Sequence, residues 1–326
     1  MTRISQSLDA GPTLSFEFSA PRDEDGAERL RQTLGQLSLH RPHFMSVTYG
    51  AGGATRGPTR DWVRAIRGDF GVEAMPHLTC VAHTRDEIAE IIKHYQSDGI
   101  TNILALRGDQ PQTVSPLPPS GGDQPQPTSP LPPSGVELPQ TVSPLPPSGG
   151  ELPKAEGGLP AFDTAAELAE FIRERADWDI GVAAHPEGHP MAASVEADLA
   201  HQAAKLKQAD FAITQFFFDV DHYARFVDRL RSRGVDTPVI PGIMPPTNVA
   251  GIERMSALNG TEFPQDIRNR LEQADSAADR REIGVEVAVR LGRALLDVGA
   301  PGLHIYTMNF ARAAAEVAAA LGWPAT

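Results

Sequence analysis

Short apolar runs alternate with amphipathic stretches about eight times along this chain, and few folds accommodate that rhythm. The runs are Leu14–Phe18, Phe44–Tyr49, His77–Val81, Asn102–Leu106, Ile180–Ala184, Phe211–Phe217, Val239–Ile243 and Gly302–Thr307. Between them, apolar side chains recur at helical spacing, as in Ile88, Ile91, Ile92 and Tyr95, or Tyr223, Phe226, Val227 and Leu230. Each such stretch gives a helix one stripe to bury against a sheet. Thr84 with Glu87 three residues later marks a helix start, and Gly99 and Gly234 stand where helices stop. Strands apolar on both faces, each followed by a helix, predict an α/β fold of the closed (β/α)₈ TIM-barrel type. A doubly wound open sheet is the weaker expectation, because no Gly-x-Gly-x-x-Gly follows the first strand.

One stretch breaks the rhythm. Residues 110–153 hold 14 of the 29 prolines and no aromatic residue, and SPLPPSG recurs at 115–121, 129–135 and 143–149, a period of 14. Such a segment has too few large apolar groups to offset its ordering entropy, and its prolines favour extended polyproline II. The organisation expected is therefore one barrel domain over residues 1–326, interrupted after the fourth strand by a disordered Pro/Ser/Gly-rich insertion at 110–157. Without it, the chain is close to the roughly 250 residues of a typical barrel. With 42 acidic against 29 basic residues the net charge is −13, so a nucleic-acid partner is not expected. No apolar run approaches the roughly 20 residues that span a bilayer, and MTRISQSLDAG lacks a signal core, so no membrane association is expected. The single cysteine, Cys80, cannot form an internal disulfide, which with the missing signal predicts a cytoplasmic protein.

Polar and special residues gather where the proposed strands end: Glu17 in SFEF, Thr48 in SVTYGAGG, His77 in PHLTC, Arg107-Gly108-Asp109 after ILAL, His185 in VAAHPEGHP and Gln215 in AITQFFFD. In a (β/α)₈ barrel that end carries the ligand site. Glu17, between Phe16 and Phe18, would emerge from an apolar strand, where burial favours a protonated acid able to donate near neutral pH. Gly108 would let the backbone approach a ligand, with Asp109 accepting hydrogen bonds from a heterocycle and Arg107 meeting an anion. His185 and His189 are four apart, but Pro186 and Pro190 oppose a helix there, so stacking on a flat ligand is expected and no metal site. Gln215 and the aromatic run after it suit a planar polar ring, whereas Cys80 is expected to be a buried structural thiol.

Taken in order, SFEF (15–18), SVTYGAGG (46–53), HLTC (77–80), ILALRGD (103–109), VAAHPEGHP (182–190), AITQFFFD (212–219), PVIPGIMP (238–245) and LHIYTMN (303–309) resemble the bacterial catalytic-domain type of methylenetetrahydrofolate reductase. The resemblance implies an FAD-containing barrel that reduces 5,10-methylenetetrahydrofolate to 5-methyltetrahydrofolate with NADH or NADPH, by ping-pong hydride transfer, for methionine synthesis. It implies a homo-oligomer with small-molecule partners only. It further implies that Glu17 is the general acid, that Asp109 serves both flavin and folate, and that Gln215 contacts the substrate. Thr48, His77, Leu106, Arg107, Gly108, Ala183, His185 and His189 match flavin contacts. Asp198 and Lys205 would face the phosphates or adenosine, with His201 where a contacting Asn is common. Gly251, Met255 and Phe310 depart from substrate-contacting residues of some members.

Two other readings are open on sequence alone. One is a related FAD barrel such as proline dehydrogenase, with a smaller substrate. The other is an interaction scaffold whose SPLPPSG repeats dock into SH3-like or WW-like grooves.

Overall fold

In the computed structural model, the described residues are 2–21, 23–49, 56–81, 83–108 and 161–326. The predicted insertion at 110–157, the glycine-rich loop Gly50–Gly53 and Asp109 lie outside them.

The strands are β1 (Thr13–Ser19), β2 (Phe44–Thr48), β3 (Ala74–Thr79), β4 (Asn102–Leu106), β5 (Asp179–Ala184), β6 (Phe211–Thr214), β7 (Val239–Ile240), β8 (Gly242–Ile243) and β9 (Gly302–Tyr306). All pair in parallel, in the order β7-β6-β5-β4-β3-β2-β1-β9-β8. Because β7 and β8 are separated only by Pro241, this order is a ring: β7 pairs with β6, β8 with β9, and the chain between them closes the barrel. Tyr306 Oη donates to the Thr214 carbonyl at 2.7 Å, and the Gly242 N–H donates to Thr214 Oγ1 at 2.8 Å, so β6 is tied directly to both β9 and β8 across this seam. The predicted eight-stranded barrel is therefore observed, with its seventh strand, expected unbroken over Val239–Ile243, split at a proline that has no N–H to give a ladder.

Two other boundaries move. β3 begins at Ala74 rather than His77: its first half pairs with β2, up to Val47↔Pro76, and its second half with β4, from His77↔Leu104, so Pro76 stands at the handover. The apolar run after Phe211 leaves the sheet at Thr214; Phe217 instead stacks on Tyr223 with ring centroids 6.2 Å apart, and Phe216 packs with Met244 and Ile252. Apolar mass continued past the strand because it serves as core beneath the next helix, and periodicity alone does not separate those uses.

The outer helices follow the amphipathic pattern, and several start on capping side chains. Those on the strand connections are α2 (Glu24–Ser38), α3 (Arg56–Phe70), α4 (Arg85–Ser97), α5 (Ala165–Arg173), α6 (Val195–Leu206) and α7 (Val220–Arg231). Thr84 forms the predicted capping box with Glu87, and Asp23, Thr164, Ser194 and Asp219 each accept a backbone N–H in the first turn of their helices. Between β8 and β9 run three helices, α8 (Val249–Asn259), α9 (Gln265–Glu272) and α10 (Ala277–Asp297), and α11 (Ala311–Ala320) ends the chain. No described helix is long and apolar enough to cross a membrane.

Ahead of the barrel lies α1 (Ile4–Ala10), which plugs the mouth where the strands begin. Ile4 and Leu8 pack on Phe44, Met75, Leu104 and Phe211 inside the barrel. The Ile4 N–H donates to Asn102 Oδ1 at 2.9 Å and the Ser5 N–H to Asp179 Oδ2 at 2.8 Å, so the first residues of β4 and β5 cap this helix from across the fold.

Candidate functional site

The strands end at the opposite mouth, and there β1 delivers Glu17. Register pairs Ser15 with His304 and Glu17 with Tyr306, which puts four polar side chains of β1 and β9 side by side in the barrel interior. His304 Nε2 lies 3.3 Å from Glu17 Oε2, and His77 Nε2 lies 3.5 Å from the same oxygen. Glu17 keeps 16% of its side-chain surface accessible, whereas His304 is fully buried. Thr307 fixes the strand end by donating its hydroxyl to the Glu17 carbonyl at 2.6 Å, and Asn309 bridges the Ser19 backbone with both ends of its amide, at 2.8 and 2.9 Å. Burial holds the His77 imidazole below the usual histidine range, against the opposing pull of the Glu17 carboxyl. His77, grouped with the strand-end residues, is the fourth of the six residues of β3, two short of its end, and is buried beside Glu17.

A second group lines the loop after β5 and the facing stripe of α6. Asp198, Gln202 and Lys205 are spaced i, i+4, i+7 and all three are buried. Gln202 accepts from the His185 N–H at 2.8 Å, donates to the His185 carbonyl at 3.0 Å and to Asp198 Oδ2 at 2.7 Å. Asp198 Oδ2 also accepts the His189 N–H at 3.2 Å, so α6 holds both ends of the loop through its backbone. The His185 and His189 rings meet edge to face with centroids 4.9 Å apart. Burial, with Lys205 and His189 adding to it, pushes the His185 imidazole down to about 3, so the ring is neutral at physiological pH. Burial likewise pushes the Lys205 ammonium down to about 8, with Asp198 opposing, and among the described residues no carboxylate lies within ion-pair distance of it. His185 Nδ1 is buried without a hydrogen-bond partner. Unsatisfied buried polar atoms of this kind are expensive unless something completes them. His201, on the same helix, is exposed.

The remaining predicted residues also reach this mouth. Thr48 ends β2 half-buried, Ala183 lies half-buried near the end of β5, and Leu106 and Arg107 end β4 and enter the next loop, with Arg107 exposed. Gly108 has φ +80°, and a Cβ there would meet the Thr79 Cβ at 2.9 Å, so the turn into Asp109 requires glycine. Gln215 sits half-buried just past β6, its N–H bonded to the Ala184 carbonyl at 2.8 Å and its Oε1 accepting from the Phe216 N–H at 3.1 Å. Phe310 is exposed at the start of α11, and Met255 is half-buried on α8. Cys80 is the buried structural thiol expected: burial pushes it up to about 12, and its Sγ points at the Leu106 and Thr164 carbonyls. Among the described residues, Glu187, His222 and Glu262 bring ligand atoms within 4.8 Å of one another, with Glu187 Oε1 already accepting the Glu262 N–H at 3.0 Å. Sequence reasoning missed Ser15, His304 and Gln202. The spacing of 198, 202 and 205 was a usable signal for Gln202, and the inward alternation of β9 was one for His304.

The profile of the family described as methylenetetrahydrofolate reductase matches residues 3–122 and 145–322. A Pectobacterium carotovorum protein named 5,10-methylenetetrahydrofolate reductase is 33% identical over 311 residues, covering 95% of this chain and 90% of its own. The Salmonella typhimurium protein of that name is 35% identical over the same shares. The Zea mays protein named methylenetetrahydrofolate reductase (NADH) 1 is 31% identical, and 49% of its length is covered. Among solved structures, a Clostridium thermocellum protein described as binding two copies of 5-methyl-5,6,7,8-tetrahydrofolic acid superposes with a TM-score of 0.60 at 14% identity, over 98% of this chain and 97% of that one, a likeness of fold. With the profile spanning both flanks of the proline-rich repeats and these identities holding over nearly all of the barrel, the chain belongs to the methylenetetrahydrofolate reductase family.

Proposed function

We propose that this chain reduces 5,10-methylenetetrahydrofolate to 5-methyltetrahydrofolate in one-carbon metabolism, with FAD as resident cofactor and NADH or NADPH as reductant, in a ping-pong cycle that serves methionine synthesis. A cytoplasmic homo-oligomer is part of the same reading. The observation that carries it is Glu17: a single carboxyl, set among buried histidines at the strand-end mouth yet still partly accessible, in a family named for this reaction.

The α6 face supports the cofactor. An ammonium with, among the described residues, no carboxylate within ion-pair distance, and a buried imidazole nitrogen without a hydrogen-bond partner, suit an anionic, flat-ringed group. In this reading Lys205, Asp198 and His201 hold the phosphates and adenosine. Ala183, His185 and His189 lie along the rings, and Thr48, His77, Leu106, Arg107, Gly108 and Asp109 serve the flavin. When bound there, FAD supplies the hydride carrier between nicotinamide and folate.

The protein's own chemistry is then positioning and one proton. Gln215 and Asp109 orient the pterin, and Glu17 gives a proton to N10 as the bond from N10 to the methylene carbon breaks, its electron pair staying on N10. The exocyclic carbon left on N5 is a cationic iminium, which the carboxylate of Asp109 favours in a site of reduced dielectric, and which accepts the hydride. Glu17→Gln tests the assignment. The variant is expected to keep flavin reduction by NAD(P)H and to lose at least roughly two orders of magnitude in folate reduction, the usual worth of a general acid. Undiminished folate turnover in that variant, or a purified protein without flavin absorption bands, defeats the reading.

A further inference from the structure

The arrangement behind Glu17 carries more than a general acid. Ser15 Oγ lies 3.2 Å from the Leu303 carbonyl, to which it donates, and 2.8 Å from His304 Nδ1. A hydroxyl has one proton. A Ser15 hydroxyl that donates to Leu303 offers Nδ1 only a lone pair, and the 2.8 Å contact is then a hydrogen bond only with the N–H on Nδ1. A neutral His304 then presents a bare lone pair at Nε2, 3.3 Å from Glu17 Oε2. A carboxylate and an unprotonated nitrogen face each other unfavourably at that distance. One proton between them, on either atom, turns the contact into a hydrogen bond.

His304 cannot turn away. Its ring is fully buried, stacked on Phe44 with centroids 5.8 Å apart at 18°, and met edge-on by Tyr306 at 5.3 Å and 87°. The third group on the same oxygen, His77, is kept neutral by burial and adds no charge to the pair.

We propose that Ser15 and His304 are positioning residues that retain one shared proton on the Glu17–His304 pair, so that Glu17 meets the folate already carrying the proton it delivers to N10. The inference rests on the reading of Glu17 as the acid. After transfer, the proton is replaced from solvent through the accessible edge of Glu17 once product has left. Ser15 thereby acts two links from the substrate, by fixing which nitrogen of His304 faces the carboxyl.

A double-mutant cycle on the holoenzyme tests this, with the folate and NAD(P)H half-reactions measured separately. Ser15→Ala and His304→Gln are each expected to slow folate reduction roughly tenfold or more, a part of the two to four orders a general acid supplies, with NAD(P)H oxidation unchanged. In the Glu17→Gln background, Ser15→Ala is expected to cause no further loss, because its effect runs through the carboxyl. A loss in that background equal to the loss in the wild type indicates a merely structural role and overturns the proposal, as does a Ser15→Ala enzyme with wild-type folate reduction. ¹⁵N NMR of histidine-labelled protein reads the same point without turnover: His304 is expected protonated at Nδ1, and a neutral ring protonated only at Nε2 overturns the proposal. If the wild type reduces no methylenetetrahydrofolate, the functional reading fails while the tautomer remains measurable.

Discussion

The two mouths of the barrel are finished in opposite ways. At the mouth where the strands begin, α1 seats Ile4 and Leu8 on apolar barrel side chains, and its leading N–H groups find Asn102 and Asp179. At the mouth where they end, Lys205 and His185 Nδ1 are buried with hydrogen-bonding capacity unspent. Free energy favours the first arrangement in the isolated protein and the second only when something else completes it. At the strand-end mouth, these unspent groups are ones that an anionic or flat-ringed ligand can complete.

Lys205→Met gives that contrast its strongest test, because its two effects have opposite signs. FAD affinity is expected to fall roughly ten- to hundredfold, the worth of a charge-assisted contact, while the cofactor-free protein gains stability by losing an unpaired buried charge. Fluorescence titration and urea midpoints read the two separately, and a variant that loses both breaks the contrast.

The same lysine sets a pH dependence. Its folded value, about 8, lies below its ordinary 10.5, so the unfolded chain binds the proton more tightly. Stability of the cofactor-free protein should therefore rise by about 3 kcal/mol between those two pH values, be complete above the upper one, and be lost as pH falls through the lower one. FAD affinity should move the other way, weakening as the ammonium deprotonates above pH of about 8. The difference between wild type and Lys205→Met across that window isolates the effect from tyrosine titration.

Asp179→Ala sits at the other mouth and should change only stability. Removing the acceptor of the Ser5 N–H and the partner of Arg3, 3.5 Å away, is expected to cost about 1–3 kcal/mol with FAD affinity and folate KM unchanged. A shift in either constant means that the mouths are coupled. The smallest effect expected is none: deleting residues 123–144, which the family profile skips, should leave both half-reactions and the urea midpoint at wild-type values. Loss of a captured SH3-like or WW-like domain on that deletion would instead favour the scaffold reading of the repeats, which lie outside the described residues.

Much of this was legible in the sequence because barrel strands are buried on both faces and stand out as uninterrupted apolar runs. Glu17 was legible for the same reason, a charge between Phe16 and Phe18. The plug was not. In ISQSLDA only Ile4 and Leu8 are large and apolar, and the groups that hold the helix, Asn102 and Asp179, look like ordinary loop-edge residues until the topology brings them under it. His304 was hidden in a motif that was read as a strand. Its role depends on the register Ser15↔His304, which no local pattern encodes. The extra helices α8 and α9 were missed because their apolar faces cover Phe216, Phe218 and Phe263 rather than the sheet, so they lengthen one connection without adding a βα unit.

The plug also imposes an order on biogenesis. The seat of α1 is made by segments far along the chain from it, since Ile4 meets Asn102 98 positions on and Ser5 meets Asp179 174 positions on, so the helix docks only after β4 and β5 are in place. The stopper is thus tied to its vessel by contacts of long sequence separation, to which Asn102 Nδ2 adds a bond to the Thr2 carbonyl at 3.4 Å.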